Sequence, residues 1–322
     1  MDFSANSCII RIMNTKSEET QEQFRKRCLS EAGVSFSLAA LLPVALSFIL
    51  TLALSSVADV TEKDWYRYLS YLLPQLCLAA TAAIYFFRSK EPLRRTYRGC
   101  KWYWFLIALL LQFGLLVSLS ELNNFFIGFL KRFGYEETSL GVPNLAGWNL
   151  LPAILVIALL PALFEESIFR GILTRNMQES GWGFWAAALL SGGMFSLFHG
   201  NPSQTLYQFV CGVCFALVAL RSRSVFPTMV AHFCNNAVIL AISSVYGDVS
   251  ISSIMPQGGY IALCVTSALC LVGAALFLVL FKREKGEKGI KWGKAFFLAA
   301  AVGFLICAIE WIVTLALGFS HA

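Results

Sequence analysis

The chain has 322 residues, of which 57% are hydrophobic and 14% charged, with a net charge of +6. A charged share about half that of a soluble domain, with a mean hydropathy of +0.67, excludes a disordered chain and a soluble protein built on one core; it requires several membrane spans. The positive balance does not indicate nucleic acid, because the basic residues gather at the ends of apolar stretches.

Roughly 20 apolar residues cross a bilayer as a helix. Nine stretches meet that length: 34–58, 68–87, 102–120, 149–178, 182–199, 204–220, 225–246, 260–281 and 295–319. The expected fold is therefore all-α, a polytopic membrane bundle of about nine transmembrane helices. Residues 1–33 read as a cytoplasmic tail. Residues 34–148 hold three accessory helices and an outer loop, 149–246 a four-helix core, and 247–322 two C-terminal helices. Between spans three and four, the piece 125–133 is amphipathic and is expected to lie on the outer surface. In the fourth stretch the apolar part ends near Phe164, yet helix-forming residues continue to Arg175. Most of the 10 cysteines lie inside apolar stretches. They read as small buried hydrophobes, the pair Cys211 and Cys214 included.

Orientation follows the basic residues. The tail carries five, 88–101 six, the end of span four two, the end of span six two, and 282–294 six, against four on the opposite side. This predicts a multi-pass protein of the cell membrane, with the N-terminus cytoplasmic and the C-terminus outside.

Ionisable groups inside a membrane are expensive and therefore functional candidates. They are Glu165, Glu166, Arg170, His199, His232 and Glu310. Glu166 and Arg170, four apart, share a helix face and can pair, while Glu165 points about 100° away and is left for another task. Phe195 shares a face with His199, and His232 with Asn236. Measured from their turns at ~1.5 Å per residue, Glu165, His199, His232 and Asn236 reach comparable depth. Gly192 and Gly193 would let the fifth helix approach a neighbour closely. Glu310 stands apart in the ninth span; it is expected either to pair with Gln75 or Gln112 or to face a polar cavity.

Three motifs thus occur in order in separate apolar helices: E-E-x-x-x-R at Glu165, Glu166 and Arg170, F-x-x-x-H at Phe195 and His199, and H-x-x-x-N at His232 and Asn236. This set resembles the CPBP family of intramembrane proteases, to which CAAX prenyl proteases and bacterial Abi proteins belong. The resemblance covers about residues 150–240. It implies that Glu165 and His199 activate a water, that His232 and Asn236 stabilise the oxyanion, and that Glu166, Arg170 and Phe195 support the site. It implies a membrane-embedded or lipid-modified peptide as substrate and the bilayer as surroundings. A free carboxylate beside two imidazoles is suited to general-base activation of water without a cofactor. A zinc ion held by Glu165, His199 and His232 is the metal-dependent alternative. A non-catalytic member of the family, such as a bacteriocin self-immunity or scaffold protein, would keep the same residues. A transporter would show broken helices at matching places in two halves, whereas the polar residues here cluster in one four-helix core.

Overall fold

A computed structural model describes residues 20–137, 141–247, 249, 251–281, 290 and 292–320. All regular structure among the described residues is helical. Helix α1 is Gln21–Ala53, α2 Asp64–Ser89, α3 Tyr103–Lys131, α4 Gly147–Glu179 and α5 Phe184–Phe198. Thr205–Ser222 forms α6, Phe226–Tyr246 α7, Gln257–Leu280 α8 and Gly293–Ser320 α9. Eight of the nine are long and apolar enough to cross a membrane. The protein is a polytopic membrane bundle. Helix α5, with 15 residues, is only ~22 Å long, short of a ~30 Å hydrocarbon core.

The bundle is apolar outside and polar inside. Leu269 of α8 and Leu298 of α9 are each 69% exposed, whereas Gln75, Gln112, Glu165, Glu166 and Arg170 are buried. That distribution suits a lipid solvent, which accepts leucine and rejects unpaired polar groups.

Helix α1 starts inside the predicted tail, because Thr20 and Gln23 form a capping box. The Thr20 hydroxyl accepts from the Gln23 N–H at 3.2 Å, and the Gln23 side chain accepts from the Thr20 N–H at 3.0 Å. Residues 1–19 of the tail, most basic residues of 282–294 and His321 lie outside the described residues. The predicted surface piece 125–133 is corrected: as far as Lys131 it is the last turns of α3, which runs on past Ser120 because no proline or turn interrupts it.

Glycine sets the closest contact in the core. A methyl built on Gly192 of α5 would stand 2.8 Å from the backbone nitrogen of Val213 in α6, and one on Gly212 would stand 2.8 Å from the Gly192 Cα. The α5 and α6 backbones therefore touch. Gly193, expected to share this role, faces open space. At the other side of the bundle α9 packs along α1, where Gly33 lies against the Phe296 carbonyl and Gly303 against Phe36.

Candidate active site

Helix α4 positions the acidic pair, and it is not a regular α-helix. Two π segments, Ile154–Leu159 and Ser167–Thr174, flank a short α stretch that ends in Glu165 and Glu166. Pro161 lies in that stretch. Having no N–H, it cannot donate to the carbonyl of Ile157, four residues earlier. Asn236 of α7 donates instead, Nδ2 to Ile157 O at 3.1 Å. An unsatisfied carbonyl at membrane depth costs several kcal/mol, so this bond ties α7 to α4. The Asn236 Oδ1 in turn accepts from Asn235 Nδ2 at 3.0 Å.

Glu166 is fully buried and Arg170 is 1% exposed. Arg170 Nη1 donates to Glu166 Oε1 at 2.8 Å, as the i,i+4 spacing requires. The same Oε1 takes His232 Nδ1 at 3.0 Å. A carboxylate oxygen accepts only, so Nδ1 of His232 carries a proton and Nε2 points away from the pair. The guanidinium lies over the Phe195 ring at 4.3 Å and near the Phe215 ring at 5.3 Å. These aromatic faces offset part of the cost of burying it.

His199 closes the other side. Its Nδ1 lies 2.8 Å from the Phe195 carbonyl oxygen, which sets the Nδ1–H tautomer and leaves a lone pair on Nε2. Both imidazoles pack on one ring: the Phe195 centroid is 4.6 Å from that of His199 and 6.3 Å from that of His232. Glu165 lies within electrostatic range of His199. Its Oε1 accepts from Gln75 Nε2 of α2 at 3.2 Å. Its Oε2 is buried and has no hydrogen-bond partner among the described residues.

Residues 147–238, from the start of α4 into the second half of α7, match the family model described as type II CAAX prenyl endopeptidase Rce1-like. This segment of the chain is similar to the Rce1-like family. No curated protein and no solved structure matches the chain.

The matched core takes two partners from helices outside the matched segment. Gln75 of α2 bonds Glu165. Gln112 of α3 donates to Asn235 Oδ1 at 2.6 Å, where Tyr207 OH also lies at 3.5 Å. Helices α2 and α3, read from the sequence as accessory, thus each deliver a buried glutamine to this network. A polar residue in the middle of an apolar span was the signal for both. Glu310 pairs with neither glutamine. It lies beside Gly200, where a methyl on that glycine would stand 3.6 Å from its Cβ.

Among the described residues, no three His, Cys, Asp or Glu side chains gather as a metal-binding group. The carboxylate bonded to His232 is Glu166, already held by Arg170; that bond takes Nδ1 and leaves Nε2 of His232 open, as the bond to the Phe195 carbonyl leaves Nε2 of His199.

Proposed function

We propose that the chain is an intramembrane endopeptidase that hydrolyses a peptide bond of a membrane-associated, CAAX-type or otherwise lipid-modified substrate, with Glu165 as general base. The observation that carries this reading is the buried, unpartnered Oε2 of Glu165 in electrostatic reach of His199. Gln75 holds the other oxygen, which leaves Oε2 for the water. A water between Oε2 and the Nε2 lone pair of His199 has two acceptors for its protons and its own lone pair for the scissile carbonyl. As the water oxygen bonds to that carbon, one proton passes to Glu165. The C–N bond then breaks, and the proton is delivered to the leaving amine.

The tetrahedral oxyanion needs donors. His232 donates through Nε2 when that nitrogen also carries a proton, and Glu166 is the counter-ion for this form. Asn236 keeps one amide N–H beyond the bond to Ile157. No metal enters this scheme. The basic end of the bundle faces the cytoplasm under the rule that basic residues stay inside, so substrate and water reach the site from that side.

Cleavage of a labelled membrane peptide by the full chain in nanodiscs, beside Glu165→Gln, tests the proposal. Turnover that vanishes in the variant supports it. Equal turnover in both rules out Glu165 as base, and no turnover in either supports the non-catalytic reading.

A further inference from the structure

At the end of the bundle where α4 and α6 terminate lies a cavity of about 440 Å³, within the size range of small-ligand sites. Six guanidinium groups line it: Arg25, Arg95, Arg98, Arg170, Arg175 and Arg223, against one lining carboxylate, Glu179. Arg170 is held by Glu166, and Arg95 and Arg175 share Glu91 and Glu179. Arg25 and Arg98 have no carboxylate partner among the described residues, and the Arg25 Nε is a buried donor without an acceptor.

Basic residues that merely set membrane orientation stand in water. Here they converge on a part-open cavity, at which the Arg25 Nε is buried. Thr96, on the same wall, is 1% exposed, and its hydroxyl has no hydrogen-bond partner. A buried hydroxyl and a buried guanidinium N–H, both without an acceptor among the described residues, beside further arginines, are the complement of a phosphate group, which offers several charged oxygens at once. Trp182 and Phe184 form an apolar part of the lining, which suits an amphiphile rather than a free ion. Basic pockets between helices at the cytoplasmic face receive anionic headgroups in this way.

We propose that this cavity binds the phosphate of an anionic phospholipid headgroup. The floor of the site is Arg170, whose guanidinium also grips Glu166, so the lipid would sit one residue away from the proposed peptidase machinery without entering it.

Native mass spectrometry of the full chain in neutral detergent, titrated with phosphatidylglycerol or phosphatidylcholine, tests this. Retention of phosphatidylglycerol in preference to phosphatidylcholine is expected, and binding about tenfold weaker in Arg98→Gln and in Thr96→Val. Thr96→Val leaves every charge in place, so it answers the question even where Arg98→Gln fails to fold. Lys101→Gln, at an exposed position of the same end, should bind as the parent does. Competition by inorganic phosphate alone at equal concentration would assign the site to free phosphate and overturn the lipid. Equal retention of both lipids, or a loss in Lys101→Gln equal to that in the two cavity variants, would also overturn the proposal.

Discussion

Asn236 on α7 stands in for the backbone donor that Pro161 on α4 does not have, closing on the Ile157 carbonyl at 3.1 Å. The bond explains why an asparagine sits one turn beyond His232. With α7 locked to α4 at this point, His232 is presented to Glu166 on the next turns of both helices.

Removing that donor should be costly and repairable. Asn236→Ala leaves Ile157 O unsatisfied and is expected to lower stability by ~1–3 kcal/mol. Pro161→Ala in the Asn236→Ala background returns a backbone N–H and should recover part of the loss in thermal unfolding in detergent. If the double variant regains stability but not peptide cleavage, Asn236 also acts on substrate. No recovery at all would mean that Pro161 is not the origin of the orphan carbonyl.

Glu165 and Glu166 should separate cleanly despite being neighbours. Glu165→Gln removes the proposed base and keeps a side chain that Gln75 can bond, so hydrolysis should be lost with stability within ~1 kcal/mol of the parent. Glu166→Ala strands both Arg170 and His232 in a buried setting and should cost ~3–5 kcal/mol. An unfolding midpoint for Glu166→Ala equal to that of Glu165→Gln would contradict the pairing.

Gln75 positions Glu165 from a helix outside the matched segment. Gln75→Leu, a change of similar volume, should reduce turnover while leaving the substrate concentration for half-maximal rate little changed, because the lost contact orients the base rather than the peptide. A rise in that concentration with turnover intact would place Gln75 at the substrate instead.

The α5–α6 contact predicts opposite outcomes for adjacent glycines. Gly192→Ala drives a methyl into the backbone of Val213 and should destabilise by ~1–3 kcal/mol. Gly193→Ala meets nothing within 4 Å and should be neutral or slightly stabilising. Similar unfolding midpoints for the two variants would show that the helices can separate without loss.

Metal removal discriminates the two chemistries. Active protein washed with chelator should retain its turnover and carry no stoichiometric zinc by elemental analysis. Loss of activity that returns only with added zinc would replace the water-activation scheme.

Composition and hydropathy alone determined the membrane class, the helical fold and the positions of the long spans, because a bilayer accepts only backbone that satisfies itself within a segment. Spacing alone determined the Glu166–Arg170 pair, since four residues along a helix is a contact distance. Everything that crosses between helices was decided by tertiary packing. Periodicity shows which residues share a face but not which other face they meet. So the sharing of Glu166 by Arg170 and His232, the hold of Gln75 on Glu165, and the isolation of Glu310 from both glutamines emerge only once the bundle closes. The reason for Asn236 is the clearest case. Pro161 announces a missing donor in the sequence, but only the approach of α7 to α4 shows which side chain, 75 positions later, makes the bond that the ring removes.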